Sequence, residues 1–167
     1  MIHSRRIRTT LTFLDGKYNA HLLHRDTEIP VLYSKMAILE YCGWLELAFD
    51  EIARNCVRHK LRTTASRKDL EHQIDRTHGF TYKQNIAPLL AYGLGTIKLI
   101  EVERKLKATG ELQALTSHLG TMNQSRREAA HTFTSGRTSR FDAPSTTIAS
   151  LNKIEPILQK LWVLVRA

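Results

Sequence analysis

The sequence has few of the residues that cross-link a protein or place it in a membrane. It contains two cysteines, four prolines and eight glycines in 167 residues, which leaves little room for long linkers. It has no apolar run near the roughly 18 residues that a membrane-spanning helix needs, so we expect no membrane partner. The two cysteines, Cys42 and Cys56, fall in one predicted helix about 21 Å apart, which is too far for a disulfide.

Two buried thiols without a disulfide are typical of a reducing compartment. The amino-terminal stretch MIHSRRIRTTLTFLDG carries charges but is not followed by the apolar segment of a signal peptide. We therefore expect a cytoplasmic location.

Acidic residues are also scarce relative to basic ones. There are 16 Asp and Glu against 25 Lys and Arg, a net charge of +9. Such a surplus favours polyanionic partners, with nucleic acid first and an anionic membrane second, although charge that serves solubility explains it about as well. Between Arg54 and Lys68 the chain has no acid, and this basic segment contributes three candidate RNA-binding residues, Arg58, Lys60 and Arg62.

Apolar residues, 42% of the chain, recur almost everywhere at helical spacing. We find no convincing strand or hairpin pattern. The sequence predicts an all-α, single-domain, up-and-down bundle of five to seven helices over residues 1–167, with 1–30 as an amino-terminal helical segment.

The clearest helix is predicted over 34–61. Ser34 is its expected N-cap, after a break at Pro30. Upstream, 3–27 fits either one long helix or two pieces broken near Gly16. The expected core stripe of the 34–61 helix is Ile38, Tyr41, Cys42, Leu45, Phe49, Ile52 and Cys56.

Further helical stretches are predicted along the rest of the chain. Gly120 suggests close contact with a neighbouring helix, Gly110 suits the position just after a helix end, and Pro156 predicts a kink. The stretches are 67–76, 81–95, 96–110, 111–136 and 145–166.

No metal or cofactor site is predicted. His21 and His24, three residues apart, do not match a known ligand spacing, and neither does the loose group between Glu71 and His78. Gly93 and Gly95 precede a helix but follow no strand, so they indicate a helix break rather than a nucleotide loop.

One stretch, NQSRREAAHTFTSG at 123–136, has two readings. Its Arg127 and His131 are four residues apart and share a helix face, whereas Arg126 lies about 140° from His131. In one reading these are solvated residues near a helix end. In the other they act on a phosphate, aided by Arg137 and Arg140 in the following loop.

The order of four elements is similar to the HEPN family (higher eukaryotes and prokaryotes nucleotide-binding), in its RiboL-PSP branch. The first is Arg126-Arg127-Glu128-Ala129-Ala130-His131, which matches an Arg-x4-His motif. Asp142-Ala143-Pro144-Ser145 precedes the last predicted helix, and GWLELAFDEI and AYGLGTIKLIEVERKL resemble two of the family's helices. The resemblance covers about 34 to 165.

This resemblance implies an all-α, metal-independent endoribonuclease that works as a homodimer without a cofactor. Its role would be that of a toxin or antiviral defence effector, with RNA, tRNA included, as the substrate and an antitoxin or defence-system protein as a further partner. Arg126 and His131 would be the catalytic residues, with Arg127 and Glu46 in support. Helical spacing places Glu46 at the edge of the core stripe of the 34–61 helix, where it either pairs with Arg126 or Arg127 or is an ordinary surface glutamate.

The sequence departs from the family at two positions. Arg127 stands where the family usually has Asn or Asp, and Phe133 stands where some toxins have a tyrosine that a partner enzyme modifies. Phenylalanine has no hydroxyl, so we expect no such modification. The alternatives are a non-catalytic HEPN module that binds RNA or a protein partner, and a helical adaptor with no RNA role.

Overall fold

The computed structural model describes residues 2–23, 28–57, 63–132 and 141–166. Within these ranges every regular element is helical, which confirms the predicted all-α bundle. The described residues contain seven α-helices and one π-helical turn, and this α-helix count agrees with the predicted five to seven. They are α1 (Arg5–Leu23), α2 (Ile29–Val57), α3 (Thr64–Arg76), the π-helical turn (Tyr82–Ile86), α4 (Ala87–Leu94), α5 (Thr96–Lys107), α6 (Glu111–His131) and α7 (Pro144–Arg166).

The chain packs as two compact units, and α2, α6 and α7 contribute residues to both. The first unit contains 45–121 and 156–167, with the first two residues of the chain. The second contains His3–Trp44 and Met122–Glu155. The single domain expected over 1–167 stays a prediction.

Helix α2 has the apolar pattern that the sequence predicts. All seven residues of its expected stripe are buried, because they recur every three or four positions on one face. Its start was predicted wrongly. The helix begins at Ile29, so Pro30 stands in its first turn, where a missing N–H costs nothing, and Ser34 is a buried interior residue rather than an N-cap.

The first unit is fixed by polar contacts between its helices. The Arg54 guanidinium donates to both carboxylate oxygens of Glu71, at 3.1 and 3.0 Å, and joins α2 to α3. Asn55 Nδ2 donates to the Trp162 carbonyl at 3.0 Å and joins α2 to α7. The two bonds differ in weight, because the Arg54–Glu71 pair is solvent-exposed and adds little stability, whereas Asn55 is buried and needs its partner.

Asp50 is a half-buried carboxylate in the same unit. Burial raises its pKa, Arg54 opposes that shift, and the negative charges of Glu46, Asp75 and Glu71 add to it. The folded state therefore binds the Asp50 proton more tightly than the unfolded state does. The stability that this proton confers is present at low pH and is lost as the pH rises through the raised pKa.

Asp50→Asn is expected to raise Tm by about 1–3 °C at pH 7 and by less at pH 4. Asparagine keeps the size of the side chain but removes the half-buried charge. Thermal unfolding at both pH values measures the effect, with Asp69→Asn on the exposed face of α3 as the control. A larger gain at pH 4 than at pH 7 would contradict this explanation.

Two glycines behave differently from what the sequence predicts. A methyl group at Gly120, in the interior of α6, would meet no atom of the described residues within 4 Å, so the expected close helix contact there was wrong. The close approach is at Gly93, where a Cβ would lie 3.2 Å from Val57 Cγ1 and 3.3 Å from Cys56 Cβ. Gly95 and Gly110 have the positive φ values of residues that end helices, 82° and 72°.

Gly120→Ala is expected to raise the free energy of unfolding by about 0.5–1 kcal/mol, because alanine restricts the unfolded chain and suits a helix interior. Gly93→Ala is expected to give no such gain, since its methyl group would crowd α2. Urea unfolding of the two variants beside the wild type measures both effects. Equal gains would show that the close approach at Gly93 has no energetic weight.

Candidate functional site

The motif Arg126–His131 occupies the last two turns of α6, in the second unit. Arg126 is half-buried, whereas Arg127 and His131 are exposed. Ala129 is 2% exposed and is the residue by which this end of the helix enters the core. A small apolar residue facing inward leaves the charged residues around it on the accessible sides of the helix.

This end of α6 is also held by polar contacts with α2. The Lys35 ammonium donates to the carbonyl oxygen of Thr132 at 2.5 Å, one residue beyond the end of the helix. Farther along, the Cys42 thiol lies 3.7 Å from the Met122 carbonyl. Backbone carbonyls at a helix end have no partner inside the helix, so Lys35 satisfies one of them with a charged donor.

Arg127 and His131 are both accessible to a ligand. The one acid of the motif, Glu128, accepts a hydrogen bond from Gln124 at 3.0 Å. Neither the Arg127 nor the His131 side chain makes a hydrogen bond or ion pair within the part of the chain that the structure describes. A guanidinium and an imidazole one turn apart on the same face are therefore both open to solvent.

Arg126 points away from that face. Successive residues of an α-helix are about 100° apart, so Arg126 and His131 diverge by about 140° within one copy of the chain. A phosphate can contact an Arg126 and a His131 at once if the two residues come from different copies of the chain, or if it bridges around the helix. A shared site at a twofold axis meets the first condition.

Lys35 is the residue that the sequence reasoning missed. Its contact with Thr132 joins positions 97 residues apart, and no local pattern predicts a bond of that span. Its ammonium also lies 5.9 Å from the centre of the Phe141 ring. The lysine adds a third positive charge, besides the two arginines, to the surroundings of His131.

Some of the remaining residues that the sequence singled out are described by the structure, and others lie outside the described ranges. Glu46 is half-buried on α2, in the first unit, and its predicted pairing with Arg126 or Arg127 stays a prediction. The segment Asp142–Ser145 leads into the last helix as expected, since α7 begins at Pro144. Outside the described residues lie Arg58, Lys60, Arg62, Phe133, Arg137 and Arg140.

No three or more His, Cys, Asp or Glu residues of the described ranges are arranged to hold a metal ion. No helix of those ranges is both long and apolar enough to cross a membrane.

Comparison with known proteins gives no relative: no family model, no curated protein and no solved structure matches the chain. The likeness to HEPN proteins therefore rests on the residues quoted from the sequence.

Proposed function

We propose that this protein is a metal-independent endoribonuclease of the HEPN type. The observation that supports it best is the end of α6, where Arg127 and His131 are exposed and unpartnered within the described ranges and Arg126 is one residue away. The buried Ala129 and the bond from Lys35 to the Thr132 carbonyl anchor the backbone of the helix end that carries these side chains. Positive charge and an imidazole on a rigid helix end suit chemistry on a phosphodiester.

The reaction we propose uses the RNA's own 2′-hydroxyl as nucleophile. Its oxygen attacks the adjacent phosphorus, the bond to the 5′-oxygen breaks, and the products are a 2′,3′-cyclic phosphate and a 5′-hydroxyl. His131 takes the 2′-hydroxyl proton or protonates the leaving oxygen, because imidazole exchanges protons near neutral pH. Arg126 binds the non-bridging phosphate oxygens through two parallel hydrogen bonds and stabilises their charge.

The proposed enzyme is a homodimer, and α2 offers a surface for it. Four apolar side chains on α2 are 36–49% exposed and recur at heptad spacing, on the side opposite its buried stripe. They are Ile29, Leu32, Met36 and Leu39.

Lys35 lies on the flank of this stripe and contacts the end of α6. Two copies packed along the stripe would therefore bring their His131 side chains near one axis. A site that needs Arg126 of one copy and His131 of the other then becomes complete only in the dimer.

The charge of the chain fits an RNA substrate, tRNA included. A net charge of +9 attracts a polyanion at long range, and only RNA carries the 2′-hydroxyl that the reaction needs. An enzyme of this kind in the cytoplasm would act as a toxin or an antiviral defence effector. An antitoxin or defence-system protein would hold it inactive, by contact rather than by modifying Phe133.

The second candidate is a HEPN module that binds RNA or a protein partner without cleaving. Arg127 favours it, because a second arginine beside Arg126 strengthens phosphate binding without adding a proton-transfer group. Binding of such a module would survive His131→Ala and fall steeply with salt concentration.

Digestion of total RNA and of tRNA in the presence of EDTA tests the two candidates. The enzyme is expected to cut in EDTA and to leave 2′,3′-cyclic phosphate ends. Expression of wild type and His131→Ala in a bacterial host adds a growth readout, with toxicity expected for the wild type alone. Intact RNA and equal growth of both strains would reject the nuclease and leave the binding module.

A further inference from the structure

The outer face of α1 forms an open groove that the proposed cleavage site does not use. It has a volume of about 670 Å³ and lies within the second unit. Its lining residues are His3, Arg5, Arg6, Thr9, Thr10 and Phe13.

The groove is positively charged, and its charges are available. Arg5 and Arg6 are exposed, and their guanidinium groups make no ion pair or hydrogen bond within the described ranges. Their neighbour Arg8 differs, because it bonds Glu155 and Asn152 on α7 and is a structural residue. The sequence has no acid before Asp15, so nothing local neutralises the pair.

Phe13 gives the same groove an aromatic surface. Its side chain is 59% exposed, and the Lys17 ammonium lies 5.5 Å from the centre of its ring. A single exposed phenylalanine is common on protein surfaces, so what distinguishes Phe13 is its place beside Arg5 and Arg6 in one groove. An aromatic ring flanked by cations is the arrangement that holds an unpaired base beside its phosphates.

The two threonines of the groove are already engaged by the helix. Thr9 Oγ1 donates to the Arg5 carbonyl at 3.1 Å, and Thr10 Oγ1 donates to the Arg6 carbonyl at 3.2 Å. Their hydroxyl protons are therefore not offered to base edges. Recognition in the groove depends on charge and stacking, which tolerate any base sequence.

We propose that the α1 groove binds single-stranded RNA, with phosphates at Arg5 and Arg6 and a base stacked on Phe13. RNA as the natural ligand rests on the proposed function, but binding to the groove does not require cleavage. The groove would hold a flank of the strand, raise its local concentration and favour unpaired regions over duplex. A duplex cannot stack a base on Phe13 without opening.

Binding is measured on a His131→Ala background, so that the RNA stays intact whether or not the wild type cleaves. The probes are a fluorescent 12-nucleotide oligo-U, the matching oligo-dT and an RNA duplex of equal length. Arg5→Gln/Arg6→Gln is expected to weaken oligo-U binding about tenfold and to lower the salt slope by about 1.4, the value for two phosphate contacts on a single strand. Arg104→Gln/Lys105→Gln on α5 removes the same charge and is the control, with less than a twofold effect.

Phe13→Ala separates stacking from charge. It is expected to weaken binding of oligo-U and oligo-dT about tenfold, because both can stack, and to leave duplex binding unchanged. Equal losses for the Arg5/Arg6 and Arg104/Lys105 variants would overturn the proposal, since general attraction would then explain binding. Unchanged oligo-U affinity with loss of binding to anionic vesicles would also overturn it and would assign the groove to membranes.

The outcome for the groove is independent of the outcome for the cleavage site. If the wild type does not cleave RNA but the groove variants lose affinity for oligo-U, the proposed nuclease activity is rejected and RNA binding by the groove is retained. If the wild type cleaves RNA and the groove variants have an unchanged KM for RNA, the nuclease activity is retained and RNA binding by the groove is rejected.

Discussion

His131→Ala is expected to lower the rate of RNA cleavage by about a thousandfold, with RNA binding retained. Positioned proton transfer typically accounts for 10²–10⁴ in rate, and alanine cannot transfer a proton. The side chain is exposed and bonds no other described residue, so its loss should leave Tm unchanged. Initial rates on a defined RNA in EDTA measure the effect.

His72→Ala is the matched control for that variant, because His72 is also an exposed helix histidine but lies on α3. Arg126→Ala is expected to reduce cleavage by about a hundredfold, the order of losing one oxyanion donor, and Arg127→Ala by less. The reverse order would overturn the assignment of the phosphate to Arg126. Full activity in His131→Ala would remove the histidine from the mechanism.

Met36→Glu is expected to convert a dimer to a monomer and to lower cleavage at least a hundredfold. Met36 is 49% exposed in the middle of the α2 stripe, and a glutamate there would place two like charges opposite each other in the dimer. Since the proposed composite site needs two copies, activity should be lost when the dimer is lost. Light scattering coupled to size exclusion gives the mass, and rates are taken at the same concentrations.

Ile97→Glu is the control for the dimer prediction. Ile97 is 79% exposed on α5 and outside the stripe, so the same change in charge should leave mass and rate unaltered. An active monomer of Met36→Glu would contradict the composite site. A wild-type protein that stays monomeric at high concentration would contradict the dimer itself.

The sequence predicts the helices well, because their burial follows a strict local period. The expected core stripe of α2, from Ile38 to Cys56, is buried at every predicted position. Helix α1 runs unbroken through Gly16, which is one of the two predicted alternatives. The errors concern residue types that occur both at the ends of helices and elsewhere in them. Pro30 ends helices but also begins them, and Ser34 caps a helix only where the chain has not already become helical.

Close approach between helices was not predictable in the same way. Gly120 and Gly93 look alike in sequence, yet Gly93 alone faces Val57 and Cys56 at short distance. Which glycine meets a neighbour depends on the packing of α4 against α2, and a local pattern carries no information about that.

The candidate site was predictable from a motif but its surroundings were not. Arg126 and His131 were singled out by the Arg-x4-His spacing and by resemblance, and the structure adds the exposure of His131, the half-burial of Arg126, the buried Ala129 and the bond from Lys35 to Thr132. The α1 groove was missed because Arg5, Arg6 and Phe13 form no known motif. Only the folded helix shows which of the nearby arginines is already paired.

A single 2′-deoxy substitution in the RNA tests the central claim most directly. An RNA is first mapped for its cleavage position in EDTA, and the nucleotide that supplies the 2′-hydroxyl there is then replaced by its 2′-deoxy form. Since the reaction proposed here needs that hydroxyl, cleavage at this bond should vanish while other cut bonds in the same strand are still cleaved. Undiminished cleavage at the substituted bond would contradict the mechanism, since water would then be the nucleophile.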